Sequence, residues 1–304
     1  MDANAPYFNS AARAVAIVEF LASRPDQTFS LSEIARRCAL RKSTAYKILG
    51  ELLTSGWLTR WPTDLRYGLG PKLIVIGRAA SQVAPEVHLA RPLMEELAAE
   101  FQRECVFSTA VADQILILDS TGGVGLRASA FQPGGQAPLV APFGAVFMAW
   151  QEEPVRMDWY ARSGLNDPDR VEQMEEVLQE TVRRGYLVTV DSDFQQELSQ
   201  VMRAVSESTT VQEMRNMLKE RLANLSTIAY LGGGHSDVDG NRVVESLQAP
   251  VFDAAGVSRY CLAVAKIDRP YDSEALTRAG KRVRAAADKL SKAVATHGRQ
   301  LAKR

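Results

Sequence analysis

"RKSTAYKILGELL", residues 41–53, decides how the first part of the chain is read. Ala45, Ile48, Leu49 and Leu52 stand at i, i+3, i+4 and i+7, the spacing of one apolar stripe on an α-helix. Ser43, Tyr46, Lys47 and Gly50 repeat that spacing on the opposite side. The second face is polar, aromatic and basic, with a glycine where a bulky residue would block close approach. It is either a solvated face or one that meets a negatively charged backbone.

The flanking residues narrow the choice. A helix from about Asn9 to Ser23 carries Ala14, Ile17, Val18 and Leu21 on one stripe and ends at "SRPDQ". Ser30, with Glu33 three residues later, is a capping box that opens a second helix to about Cys38. A turn at Cys38-Ala39-Leu40 leads into the 41–53 helix, and Gly56 is a suitable residue just past its end. "WLTRW" and "LRYGL" then flank Pro62-Thr63-Asp64, the pattern of a hairpin with a three- to five-residue turn, with Arg60 and Arg66 near its tip. Helix, helix, short turn, helix, hairpin is the order of a winged helix-turn-helix.

Charge supports this reading. The chain has 304 residues and a formal net charge of zero, but residues 1–70 hold nine Lys/Arg against six Asp/Glu. Within 36–66 the count is seven basic to two acidic, a local footprint for a polyanion. A helix fits the ~12 Å major groove of DNA and can present polar side chains to base edges. Ser43, Thr44 and the helix N-terminal amides suit phosphate, Arg41, Lys42 and Lys47 supply charge, Tyr46 adds an aromatic contact, and Arg60 and Arg66 could follow the backbone or minor groove. The bland alternative is a three-helix module for protein contacts.

"SLSEIARRCALRKSTAYKILGELLTSGWLTR" followed by "YGLGPKLIVIG" also resembles the N-terminal domain of IclR-type bacterial transcriptional regulators. The resemblance rests on Lys42-Ser43-Thr44 at the start of the recognition helix and on Tyr67, Leu69 and Gly70 after the wing, within a match over about residues 10–80. It implies binding to double-stranded operator DNA as a homodimer or tetramer.

The rest of the chain reads as a linker and a second domain. Gly70-Pro71 breaks the hairpin, and 72–83 reads as a helix with Leu73, Ile76 and Ala80 on a narrow stripe. That stripe either packs on its own wing or, as the resemblance implies, pairs two subunits. The expected division is 1–70 for the winged helix-turn-helix, 71–85 for the linker helix and 86–304 for an α+β domain with helices on one or both faces of a sheet. A helix from Glu86 places Leu89, Leu93, Leu97 and Phe101 four apart. "CVFSTAVA", "QILILDS", "GLRASA", "GYLVTV", "VVESLQAPVFD" and "SRYCLAVAKI" read as strands. Helical stretches are expected over about 143–163 and 168–184, the latter with Asp167 as N-cap, and a basic helix closes the chain.

Here too the sequence resembles the IclR type. "RRGYLVTVD" and "APVFDAAG" look like segments of its GAF-like, mixed α/β effector-binding domain, and "PLVAPFGAVFMAW" stands where a Pro-Leu-His-Ala and a Gly-containing helix are usual. The resemblance puts Val140 at the usual His position, Ser246 at a usual Cys position and Asp191 at a usual acidic one. It implies a small-molecule effector lined by Val140, Phe143, Gly144, Asp191 and Ser246. Asp191 and Ser246 are 55 positions apart where a short connection is usual, so about 195–240 reads as an insertion. The replacements suggest a small, mildly polar organic acid or aromatic metabolite.

Other chemistry finds little support. Cys38, Cys105 and Cys261 are odd in number and far apart, and His88, His235 and His297 have no metal-ligand spacing. "TGGVGL" (121–126) reads as a turn rather than a dinucleotide loop, and "GGGHSDVDG" (232–240) as a surface loop rather than a metal site. Asp191 and Asp193 read as strand-end residues rather than an acid/base pair. No metal, cofactor or catalytic residue is therefore expected. No apolar run approaches the ~20 residues of a membrane span, and "MDANAPYFNS" lacks the pattern of a signal peptide, so the expected location is cytoplasmic. The competing class is a metabolite-processing enzyme domain fused to a protein-interaction winged helix.

Overall fold

The computed structural model describes residues 9–24, 26–83, 85–122, 131–165, 167–190 and 243–301. Contacts within the chain separate two units, and the break in the described residues falls between Val83 and Pro85.

The first unit begins with α1 (Ser10–Ala22), α2 (Leu31–Arg37) and α3 (Lys42–Thr54). Asn9 caps α1 by accepting from the Ala12 amide at 2.8 Å. Ser30 and Glu33 form the complete capping box at the start of α2. Between α2 and α3 the chain reverses through Ala39, whose φ is +50°, and the Leu40 amide returns to the Ala35 carbonyl at 2.8 Å. After α3, Gly56 takes a φ of +75°, and the amides of Gly56 and Trp57 close on the carbonyls of Leu53 and Leu52. Strands β1 (Leu58–Arg60) and β2 (Tyr67–Leu69) pair antiparallel, and Trp61 bonded to Arg66 leaves a four-residue tip. Phe29 exchanges backbone bonds with Tyr67, which adds a short third edge to this wing.

One apolar cluster joins these pieces. Ile17 and Leu21 of α1, Ile34 of α2, Ile48, Leu49 and Leu52 of α3, and Leu58 and Tyr67 of the wing are all buried in it. Helix α4 (Lys72–Val83) follows the wing. Ile74, Val75 and Ile76 on it are 74%, 60% and 37% exposed, and only Leu73 among its first residues is half-buried.

The second unit opens with α5 (Glu86–Phe101) and is built on an antiparallel six-stranded sheet. Its strands are β3 (Glu104–Val111), β4 (Gln114–Thr121), β5 (Gln136–Pro138), β6 (Leu187–Thr189), β8 (Ser246–Phe252) and β9 (Ser258–Ala265), in the order β5-β4-β3-β9-β8-β6. A separate two-stranded pair joins β7 (Val243–Val244) to β10 (Arg269–Pro270). The sheet thus places β9, from late in the chain, beside β3 at its centre. Helix α9 (Ser273–Leu301) and α5 cover one face, where Leu93, Leu97 and Phe101 meet Leu247, Ala249, Val251, Leu262 and Val264. On the other side, α6 (Ala145–Met148) packs against β8, β9 and α8 (Pro168–Arg184).

Two expectations are corrected here. The stretch 143–163 is not one helix: α6 stops at Met148, and α7 (Glu153–Ser163) begins after Glu152 in extended conformation. Pro154 explains the break, because a proline fits the first turn of a helix and not its interior. The short edge strand β5 has no counterpart in the sequence reading. The segment "GLRASA", the 195–240 insertion, Asp191, Asp193 and "GGGHSDVDG" lie outside the described residues.

Candidate functional sites

Helix α3 separates its residues as its periodicity requires. Ala45 and Leu49 are fully buried, Ile48 and Leu52 nearly so. Arg41, Lys42, Ser43, Tyr46, Lys47 and Gly50 are exposed, and Thr44 is half-buried. Tyr46 is 63% exposed, unusual for a ring this large, because none of the described residues covers the helix side it occupies. A Cβ added at Gly50 would meet nothing within 4 Å, so internal packing places no demand on that glycine. At the helix start, the amides of Thr44 and Ala45 already close on the Arg41 carbonyl at 2.9 and 3.0 Å. The amides of Lys42 and Ser43 precede these first turns, and the N-cap, Arg41, provides no side-chain cap. This end of α3 combines amide donors with cationic side chains, a geometry suited to phosphate oxygens.

The two wing arginines differ. Arg60 is exposed, with its guanidinium carbon 5.2 Å from the centre of the Tyr67 ring. Arg66 is half-buried and turned inward: its guanidinium donates to the Thr28 carbonyl at 3.0 Å (Nε) and 2.6 Å (Nη2), and pairs with Glu33 at 3.1 Å. Bonds from the Ser30 amide and hydroxyl, then the nearby Arg66, hold the Glu33 carboxyl below the usual carboxylate range. The structure therefore brings Arg41, Lys42, Ser43, Tyr46 and Lys47 onto one helix, places Arg60 outward on the wing, and engages Arg66 inside the domain.

In the second unit, Val140, Phe143 and Ser246 are buried. The loop that carries the first two is fixed at both ends. The Trp159 indole donates to the Phe143 carbonyl at 2.9 Å, the Ala141 amide reaches the Trp159 carbonyl at 3.4 Å, and the Ala141–Pro142 peptide is cis. Gly144, with φ +84°, then turns the chain into α6. The positive φ favours glycine here, and an added Cβ would have to displace the Leu139 side chain.

Ser246 belongs to a cluster that the sequence reading missed. Its hydroxyl donates to Thr189 Oγ1 at 3.0 Å and accepts from Gln248 Nε2 at 3.0 Å. Leu247 and Ala249 enter the core under α9, so alternation turns Ser246 and Gln248 to the opposite face, toward the α6 side. The period-2 pattern "SLQAPVF" carried that signal for Gln248; Thr189 needed the β6–β8 pairing. Among the described residues, no group of three or more His, Cys, Asp or Glu is arranged to hold a metal, and no helix is long and apolar enough to cross a membrane.

These features agree with the chain's similarities. Residues 10–62 match the model of the IclR helix-turn-helix domain. The DNA-binding transcriptional repressor YiaJ of Escherichia coli (strain K12) is 28% identical over 142 residues, 45% of this chain. The match spans about half, 49%, of that curated relative. By fold, an IclR transcriptional regulator of Alicyclobacillus acidocaldarius aligns over 93% of this chain and 97% of its own, with a TM-score of 0.65 at 22% identity. An IclR homologue of Microbacterium hydrocarbonoxydans, solved in complex with 4-hydroxybenzoate, covers 94% of this chain and 100% of its own at TM-score 0.62 and 17% identity. Pseudomonas aeruginosa HmgR covers 94% and 98%, with a TM-score of 0.60 at 19% identity. Residues 10–62 thus match the IclR helix-turn-helix domain, and the chain shares its fold with solved IclR regulators along nearly its whole length.

Proposed function

We propose that the protein binds palindromic operator DNA as a dimer through α3 and the wing, and that its second domain responds to a small organic acid. The observation that carries the first half is the outward face of α3. Lys42, Ser43, Tyr46 and Lys47 are exposed together while the apolar stripe opposite them is buried in the domain core. Gly50, open to solvent, gives that face clearance against a groove wall. Arg41 and Thr44 at the helix start and Arg60 on the wing supply the flanking phosphate contacts. The exposed Ile74, Val75 and Ile76 of α4 support a second copy as its cover, since a dimer removes them from water and duplicates every phosphate contact. Such a protein acts in the cytoplasm.

For the effector, the supporting features are the buried Thr189–Ser246–Gln248 cluster and the Val140–Gly144 loop on the same side of the sheet. Hydroxyl and amide donors beside apolar side chains suit an acid with an apolar or aromatic body. The complex of a structural relative with 4-hydroxybenzoate is in keeping with that class. Asp191 completes the proposed set from outside the described residues.

Fluorescence anisotropy with labelled duplexes from the DNA upstream of its own gene tests the first half. The expected result is tighter binding than to random duplex at physiological salt, with affinity falling steeply as salt rises. Equal affinity for both duplexes refutes it. A thermal-shift panel of organic acids, 4-hydroxybenzoate included, tests the second. Stabilisation by one class that Ser246→Ala diminishes is expected, and no shift with any acid refutes it.

A further inference from the structure

We propose that Arg66 is a positioning residue. It pins the wing to the start of α2 and so sets Arg60, without itself touching DNA. This inference rests on the DNA-binding reading above. Arg66 stands just before β2, and its guanidinium crosses to a segment 38 residues earlier, donating twice to the Thr28 carbonyl and pairing with Glu33. Nε also lies 3.1 Å from the Thr28 hydroxyl. Next along the chain, Tyr67 exchanges backbone bonds with Phe29 at 2.9 and 2.7 Å. The Tyr67 ring lies under Arg60, its cross-strand partner in β1. A continuous set of contacts thus runs from the α2 capping box through Arg66 and Tyr67 to the Arg60 guanidinium.

The donor geometry separates this role from phosphate binding. The Nε and Nη2 donors of Arg66 already have acceptors in a main-chain carbonyl and a carboxylate, and a phosphate on that edge of the guanidinium would have to displace them. Lysine cannot reproduce that fork, because a single ammonium cannot satisfy the planar pair of bonds. Charge alone would be kept by lysine, whereas position would not.

The test uses the full-length protein with Arg60→Gln, Arg66→Gln, Arg66→Lys and the Arg60→Gln/Arg66→Gln double variant. Binding to the upstream duplex is measured between about 50 and 200 mM salt, at a temperature where circular dichroism shows each variant folded. Arg60→Gln is expected to weaken binding and reduce the salt slope by about one. Arg66→Gln should weaken binding several-fold, Arg66→Lys should fail to restore it, and the double variant should bind as Arg60→Gln does. Full restoration by Arg66→Lys, or losses that multiply in the double variant, would make Arg66 a phosphate contact and overturn the proposal. An unchanged affinity for folded Arg66→Gln would overturn it as well. A wild-type protein with no salt-dependent affinity for the duplex would remove the DNA-binding reading itself, a failure distinct from the others.

Discussion

Lys47→Ala and Leu49→Ala, two residues apart on α3, should fail in opposite ways. Lys47 is exposed on the outward face, and alanine has at least its helix propensity, so the substitution should leave Tm nearly unchanged. It removes one cation from the proposed DNA face. Each phosphate neutralised contributes about −0.9 to the slope of log K against log salt. Between about 50 and 200 mM, a fourfold change, the wild-type advantage over Lys47→Ala should therefore shrink about 3.5-fold. Leu49 has no exposed surface and packs against α1, α2 and the wing. Its truncation should cost about 2–5 kcal/mol through lost burial and the cavity left behind. Anisotropy titrations at several salt concentrations give the first quantity, and urea unfolding followed by circular dichroism gives the second. If Lys47→Ala lowers stability as much as DNA affinity, or leaves the salt slope untouched, its face is structural and the recognition-helix assignment fails.

Three other perturbations probe the rest of the molecule. Gly280→Ala lies within α9, where alanine would ordinarily stabilise a helix by about 1 kcal/mol. Here the added Cβ would stand 2.1 Å from the Tyr186 ring, so thermal unfolding should show a net loss of about 1–3 kcal/mol instead. Burial pushes the thiols of Cys38 and Cys261 up to about 11 and 12 and that of Cys105 up as well, so a thiol-specific chromogenic reagent at pH 8 should label none in the native protein and all three after denaturation. Glu33 has a folded-state pKa below its ordinary 4.5, so its contribution is complete above that value and is lost as pH falls through the lowered one. Acid unfolding of the first domain, followed by Trp57 and Trp61 fluorescence, should consequently be less steep below about pH 4.5 in Glu33→Gln.

The first domain was legible because its determinants are local. The capping box joins residues three positions apart, the ends of the α3 stripe are seven apart, and the Gly56 stop lies two beyond the helix, so each is decided by neighbours in sequence. Arg66 was placed among the DNA contacts because a basic residue near a hairpin tip reads as an outward one. Its actual acceptors, Thr28 and Glu33, lie more than thirty residues away, and no local pattern announces them. The same limit applied to the sheet. Individual strands could be read from alternation, but the β3–β9 pairing joins Cys105 to Val264, and that is a property of the whole unit.

The proposed effector site shows a different limit. In β8, Ser246 and Gln248 alternate with Leu247, Ala249 and Val251, a pattern that by itself describes a strand with one wet face. The structure buries Ser246 and Thr189 on the supposed wet face, where α6 packs against β8 and β9 with α8 behind it. Hydroxyls at such depth must find partners, and these find each other, with Gln248 at the edge of the cluster. A neutral hydroxyl pair can exchange one of its bonds for a ligand oxygen without leaving a charge uncompensated, which a buried carboxylate or ammonium in the same place could not do. Burial of these hydroxyls therefore turns an ordinary alternating strand into a polar lining. The Val140–Gly144 loop, held by the Trp159 indole at the Phe143 carbonyl, is the apolar part of the proposed site.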